Sequence, residues 1–410
     1  MNLVEDLKAR GLVEHHSAEP EKIFEKKRTI YLGVDPSADS MHAGHLMVVL
    51  TMKRLADAGH RIILLVGGGT GMIGDPRESG ERQLAEAKVI ERNAKTLRAQ
   101  MQRIVGAKVT LVNNADWLLK IRLVDFLRDI GKHFTVNELV KRDIIKRRLE
   151  TPDESISYTE FAYSLLQGYD YMVLNQKYGV DVQIGASDQW TNILSGVELI
   201  RRKLGKEAFA FTTPLVTDSS GKKFGKSEGN AVWLDGKKTS PFAFYQFWLG
   251  TPDEKVGEYL KYFTFMPVAE IDALMELHRR NPERRTAQQR LATEATTLVH
   301  GVDEAKRAER FTGVLFGNAP FDTLAKEDQE KLFASVPSAS VAAGTTIVDA
   351  LTLTEFLPSK SEARRLIEGK GIKLNGETVA ADRALAPGDF NNGLAVLQKG
   401  KSEKLLVRFK

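Results

Sequence analysis

"TIYLGVDPSADSMHAGHL", residues 29–46, decides the fold of this 410-residue chain. Its first seven residues are β-rich and run into a turn cluster, Asp35-Pro36-Ser37-Ala38-Asp39-Ser40. Asp39 or Ser40 suits the N-cap of a helix, where a short side-chain oxygen accepts from an orphan backbone N–H. From His42 to about Ala58 the chain is apolar on most faces through Leu46, Val49, Leu50, Met52 and Leu55. "RIILLVGG" (61–68) is then a continuous apolar run, as a strand buried on both faces should be. Strand, helix and strand in that order make a βαβ unit.

The pattern continues outward. Ile90, Ala94, Leu97, Met101 and Ile104 recur at spacings of three and four and predict a long helix. "KVTLVNN" (108–114) predicts a third strand, and "VDVQIGA" (180–186) another, leading into a helix from about Gln189. This alternation predicts an α/β fold with a doubly wound parallel sheet, its ligand site at the carboxyl ends of the strands. Past Thr239 the pattern is helical, including one long stretch over 287–311. A weakly patterned stretch follows, and from about Thr345 short helices and strands return. Asn375-Gly376 within "LNGE" (374–377) signals a hairpin. The expected division is a catalytic domain over 1–238, an α-helical domain over 239–318, a linker over 319–344 and a small α+β domain over 345–410.

Composition narrows the function. Charged residues make up 28% and hydrophobic ones 42%, the balance of a soluble globular chain. Cysteine is absent, which excludes disulfides, thiolate zinc sites and thiol catalysis. The start, "MNLVEDLKARG", has no signal-peptide core, and no apolar run approaches the roughly 20 residues of a membrane helix. A cytoplasmic protein is expected, with no membrane partner. The net charge of +5 permits a polyanionic partner without requiring one.

Three glycine-bearing clusters compete for the chemistry. "GTGMIG" (69–74) matches the dinucleotide fingerprint G-x-G-x-x-G after a strand. That fingerprint needs a helix to open inside it, and Asp75-Pro76 follows at once, pushing the chain out of helical geometry. The glycines then serve either as a plain tight turn or as an approach to a ligand, with Asp75 as a buried acceptor. His42 and His45, three apart at a helix start, share one face around Gly44. They fit a metal site lacking a third ligand, satisfied core histidines, or donors to phosphate at the positive end of the helix. "SGKKFGKSEGN" (220–230) ends like a P-loop in Gly225-Lys226-Ser227, but Ser220 stands where the opening glycine belongs. It reads as a solvated lysine run, or as a glycine-hinged loop whose Lys222, Lys223 and Lys226 close over polyphosphate.

Together these residues resemble the class I aminoacyl-tRNA synthetases: "HAGH" is similar to their HIGH signature and "KFGKS" to their KMSKS loop. "YLGVDPSADSMHAGH", "GGGTGMIGDP", "YTEFAYSLLQGYDY" and "QIGASDQW" resemble the bacterial-type tyrosyl-tRNA synthetase family, over a match from about residue 29 to the terminus. The resemblance implies a Rossmann-like catalytic domain that activates L-tyrosine with ATP and then charges tRNA(Tyr). It implies that His42, His45 and Ser37 meet the ATP phosphates and that Gly33, Asp35 and Gly44 line the nucleotide site. Lys223 and Lys226 would hold the leaving pyrophosphate, with Ser227 beside them. Tyr31 and Asp170 fall where the family hydrogen-bonds the substrate phenol. Tyr163, Gln167 and Asp75 fall where it holds the ammonium, with Gln189 close by. Tyr163, Gln167 and Asp170, spaced by four and three, can share one helix face. ATP with Mg²⁺ is implied as co-substrate, with no tightly bound cofactor and no protein metal site.

Departures from the family pattern are Ala43 in HIGH, Leu32 for a frequent cysteine, and Ala186 for the second glycine of GGSDQW. "DPRESGERQ" replaces the commoner DPSGKSEER, which puts contacts from that loop in question. Residues 345–410 resemble an S4-like RNA-binding domain, with eleven Lys and Arg against eight Asp and Glu. Ser361, Arg364 and Arg365 would face RNA phosphates there; a solvated basic face is the alternative. The family pairs as a homodimer through a segment here at about 115–165, and DNA is not an expected partner. Two rivals stay open: a catalytically silent relative that binds structured RNA, and a tryptophan-specific relative on the same fold.

Overall fold

The computed structural model describes residues 1–410 except 77–84, 107, 218–230, 318, 320–322, 392, 401 and 402. Five parallel strands form its first sheet: β1 (Thr29–Val34), β2 (Arg61–Val66), β3 (Thr110–Asn113), β4 (Val182–Ala186) and β5 (Phe209–Thr213). Their order is β3-β2-β1-β4-β5. Tyr31 of β1 stands in register with Ile63 of β2 and Gln183 of β4. The chain builds outward from β1 to β3, then returns to add β4 and β5 on the other side. That reversal opens a crevice at the carboxyl ends of β1 and β4, where ligands of such sheets bind. β5 was not legible: "FAFTT" is short, wholly buried and without alternation. Its outer edge is covered by the N-terminal segment, with Thr212 N–H donating to His15 O at 2.8 Å and Ser17 N–H to Ala210 O at 3.0 Å.

The crossover helices follow the sequence periods. Ala43–Asp57 follows β1, and Ala87–Val105 follows β2 with Ile90, Ala94, Leu97, Met101 and Ile104 all buried. Tyr158–Tyr178 precedes β4. A capping box of Ser157 and Glu160 starts it, and Gly179 at φ +69° ends it. Trp190–Leu204 follows β4. The core on this side joins Tyr31, Ile63, Leu65, Trp117, Tyr171 and Leu174. "GTGMIG" forms a single 3₁₀ turn over Thr70–Met72, and the next described helix begins at Ala87. No helix opens inside the fingerprint, so its geometry is not that of a dinucleotide loop.

The chain divides into two units, 1–238 with 251–291, and 239–250 with 292–410. The stretch expected as one helical domain is therefore shared between them. Its long helix is two, Thr286–His300 and Val302–Phe316, separated at Gly301, whose φ of +96° no helix accommodates. In the second unit β6 (Ser338–Val341), β7 (Ile372–Leu374), β8 (Glu377–Thr378), β9 (Leu394–Lys399) and β10 (Glu403–Phe409) form a sheet ordered β6-β10-β9-β7-β8. Asn375 at φ +50° and Gly376 at φ +90° turn the β7–β8 hairpin, as their dipeptide predicts. The stretch expected as a linker holds the Lys326–Ser335 helix and β6, which pairs parallel with β10. Small residues in "SASV" hid that strand from the apolar pattern. Ile347, Leu351, Ile367, Ile372, Leu374 and Val379 share the terminal core. Ser361, Arg364 and Arg365 are exposed on the Lys360–Glu368 helix, whose opposite face buries Ala363 and Ile367.

Among the described residues no helix is long and apolar enough to cross a membrane.

Candidate active site

The crevice ends in a buried polar group. Asp170, on the Tyr158–Tyr178 helix, is 2% exposed. Trp117 Nε1–H donates to its Oδ1 at 2.6 Å and Asn114 Nδ2–H to its Oδ2 at 2.8 Å. Burial pushes this carboxyl up to about 7, against the pull of the two donors, and Asp35 adds repulsion. A carboxylate offers about four acceptor sites, so two remain for a ligand. Tyr31, on β1, is 1% exposed and packs edge-on against Tyr171 at 5.2 Å between centroids. Its hydroxyl has no hydrogen-bond partner among the described residues, and burial together with the Asp170 charge pushes its pKa up. An unsatisfied buried hydroxyl costs about 1–3 kcal/mol, which a ligand polar group reaching it would recover.

A second acidic group lies farther along. Asp75 accepts from Gln189 Nε2–H at 2.8 Å and from Asn192 Nδ2–H at 3.0 Å. Burial pushes its carboxyl up to about 6; the two amides lower it, and Asp35 and Asp188 raise it. Tyr163 donates its hydroxyl to Asp35 Oδ2 at 2.8 Å, and Thr70 Oγ1–H donates to Asp35 Oδ1 at 2.7 Å. Tyr163 thus bonds Asp35 rather than Asp75, though both carboxylates push its phenol up, after burial. Gln167 is half-buried, and its side chain makes no hydrogen bond among the described residues. Gly67 is required by this cluster, because a Cβ there would lie 1.9 Å from Asp35 Oδ1. Gly33 differs: a Cβ would meet only Leu65 and Tyr31, at 3.6 and 3.9 Å, and the residue is exposed although its strand is central. That patch of sheet surface is open to a ligand. Ser37 is exposed beside it, its N–H donating to Asp35 O at 2.9 Å.

The first histidine is the N-cap of the Ala43–Asp57 helix. His42 Nδ1 accepts from Gly44 N–H at 3.1 Å, and His45 Nδ1 accepts from His42 N–H at 3.3 Å. With Nδ1 occupied as an acceptor, each ring carries its proton on Nε2 as a donor. The rings lie 3.9 Å apart, at the positive end of the helix. Ala43 N–H donates to Val232 O and Leu234 N–H to Met41 O, both at 2.8 Å. Residues 232–234 therefore run beside the histidines. Lys222, Lys223, Lys226 and Ser227 lie outside the described residues.

The family described as class I tRNA synthetases (W and Y) matches residues 24–317, and the C-terminal domain of tyrosine–tRNA ligases matches 328–407. A tyrosine–tRNA ligase of Roseiflexus castenholzii is 43% identical over 99% of both chains. One from Streptococcus equi subsp. zooepidemicus is 43% identical over the whole of both. The chain belongs to the tyrosine–tRNA ligase family. A truncated mitochondrial tyrosyl-tRNA synthetase of Aspergillus nidulans shares the fold, with a TM-score of 0.68 and 34% identity over 75% of this chain and 92% of its own. The family's C-terminal domain begins before Thr345, in keeping with β6 in its sheet.

Several residues of the site were missed in the sequence. Asn114 and Trp117 hold Asp170, Thr70 holds Asp35, and Asn192 holds Asp75. Paired asparagines closing a strand, in "VNNADW", were the available signal. Asn113 Oδ1 accepts from Gly68 N–H at 3.1 Å and Asn114 Oδ1 from Gly69 N–H at 2.7 Å, so this pair also ties the glycine turn to β3. Asn192 follows Gln189 by three residues, one helical turn on, which is a spacing signal for a shared face.

Proposed function

We propose that the chain is a tyrosine–tRNA ligase acting in two steps. The tyrosine carboxylate attacks the α-phosphate of ATP, giving tyrosyl-adenylate and pyrophosphate; the terminal ribose of tRNA(Tyr) then takes the tyrosyl group. The observation that carries the specificity is the buried Asp170 carboxyl beside the unpartnered Tyr31 hydroxyl, an acceptor and a donor for one phenol. An apolar pocket alone discriminates a missing hydroxyl poorly, whereas unpaired buried polar groups reject it strongly. The same pair weighs against the tryptophan-specific reading.

The amino acid's carboxylate is ionised near neutral pH, so the first step needs alignment and charge stabilisation rather than a general base. Asp75, Tyr163 and Gln167, with Gln189 close by, hold the substrate ammonium. His42 and His45 present Nε2–H donors to the phosphates, Ser37 lies near, and Gly33, Asp35 and Gly44 line the nucleotide. Lys223 and Lys226, with Ser227, hold the pyrophosphate as it leaves. Mg²⁺ arrives with ATP. The reaction belongs to the cytoplasm, where its substrates are.

The transfer step is assigned to the terminal domain through Ser361, Arg364 and Arg365, exposed on one helix. A chain ending at Gly317 should still exchange pyrophosphate into ATP when tyrosine is present. It should charge tRNA(Tyr) at least about tenfold more slowly at physiological salt, because phosphate contacts supply much of RNA affinity. Arg364→Glu with Arg365→Glu in the full chain should reproduce most of that loss and flatten its salt dependence. Undiminished charging by the shortened chain would remove the terminal domain from this role.

The active form is a homodimer joined through about 115–165. Among the described residues, seven of the twelve exposed large apolar side chains lie between Leu119 and Tyr158, a concentration that marks an interface. Sedimentation should give twice the chain mass, and Leu123→Glu with Val124→Glu should halve it. A monomer before substitution contradicts the assignment.

A further inference from the structure

Arg142 lies outside every motif of the sequence, at the N-cap of the Asp143–Glu150 helix in the segment between β3 and β4. Its guanidinium is mostly buried and reaches into the amino-acid pocket. Nη2–H donates to Ser195 Oγ at 2.5 Å and Nη1–H to Asn192 Oδ1 at 3.5 Å. Asn192 in turn donates Nδ2–H to Asp75 Oδ1 at 3.0 Å and to Gln189 Oε1 at 3.3 Å. Gln189 donates Nε2–H to Asp75 Oδ2 at 2.8 Å.

A donor-only guanidinium stands at one end of these bonds and the Asp75 carboxyl at the other. A guanidinium carries donors and no acceptor, so only the oxygen end of Asn192 can face it. That aims the Asn192 NH₂ at Asp75 and at the Gln189 oxygen. With its oxygen taken, Gln189 turns its own NH₂ to the other oxygen of Asp75. One donor-only group sets two amides that could each flip. Without it, an amide oxygen can face Asp75, an arrangement tolerated only by a protonated carboxyl.

We propose that Arg142 is a positioning residue for substrate binding: by fixing Asn192 and Gln189 as donors it keeps Asp75 ionised to receive the substrate ammonium. This rests on the reading of Asp75 as the ammonium acceptor. The charged and titratable groups around the pair act in known directions. Asp35 and Asp188 push the Asp75 carboxyl up, and the Tyr163 phenol lies within reach of its charge. Burial pulls the Arg142 guanidinium down to about 10, while Asp75 and Glu138 push it back up. Arg142 is thus a cation one amide removed from a carboxylate that burial disfavours.

The test is binding of L-tyrosine without ATP, by equilibrium dialysis, across pH. Asp75 accepts the ammonium when ionised, so affinity falls as pH falls through about 6. Arg142→Met should raise that midpoint by about one unit. The variant should then bind about tenfold more weakly than the parent near pH 5.5 and within about twofold of it near pH 8.5. Comparing the two proteins cancels the titration of Asp170, which is common to both. The preference for tyrosine over phenylalanine should not change, since the phenol end is untouched. An equal loss at both pH values, or none, overturns the proposal. If Arg142→Met does not fold, Arg142→Lys, which keeps the cation but not the planar fork, should show the same pH-dependent loss at smaller amplitude. Asp75→Asn separates the two readings. Parental tyrosine affinity in that variant would overturn the assignment of Asp75 itself. Lost affinity there, with an unshifted pH profile in the Arg142 variant, would overturn this inference alone.

Discussion

Asp170→Ala should collapse the preference for tyrosine over phenylalanine by about 10² to 10³, measured as the ratio of kcat/KM for the two amino acids in pyrophosphate exchange. The carboxyl is buried, and Trp117 and Asn114 leave two of its acceptor sites for the phenol. Its removal also frees the Trp117 and Asn114 donors, which favours an added water over an unhydroxylated ring. Discrimination of about 10⁴–10⁵ against phenylalanine is the known behaviour of synthetases of this specificity, not a value read from this geometry. Some preference should survive through Tyr31. Because both amino acids are tested in one variant, a general loss of folded protein cancels. A variant that still prefers tyrosine as strongly would show that Asp170 does not read the phenol.

Lys226→Ala should slow tyrosyl-adenylate formation by about 10² to 10³ in single-turnover experiments, with tyrosine affinity nearly unchanged. The reason is differential binding. An ammonium group that meets the β- and γ-phosphates as the α-phosphate bond breaks stabilises charge present mainly in the transition state. In the proposed function Lys226 is assigned to the phosphates and not to the phenol end. Residues 232–234 pair with the segment of His42. An unchanged rate of adenylate formation removes the loop from the mechanism. A comparable loss of tyrosine affinity would point to a damaged pocket instead.

The sheet was legible because each element carried its own period. "IILLV" (62–66) is apolar throughout because both faces of its strand are covered, and the helix after it repeats at three and four because one face is. β5 and β6 were hidden for opposite reasons, one too short to show a period and one built from small residues. The long helical stretch over 287–311 read as continuous because a single glycine is weak punctuation until its φ is known. At the candidate site, the residues assigned to meet a ligand belong to recognisable motifs. The residues that orient them do not. Asn114, Trp117 and Asn192 donate to carboxylates from distant points of the chain, and Arg142 donates to the Asn192 oxygen; only the paired asparagines and the Gln189–Asn192 spacing mark such roles locally. Tyr163 shows the same limit: its position on the helix face was legible, but its bond to Asp35 depends on how β1 packs against that helix.

The central claim is that this fold activates tyrosine and no other amino acid. Exchange of labelled pyrophosphate into ATP, run with the purified full-length chain and each of the twenty amino acids in turn, tests it most directly. Exchange should appear with tyrosine and stay near background with phenylalanine and tryptophan. Exchange driven by tryptophan, or none with any amino acid, would contradict the account.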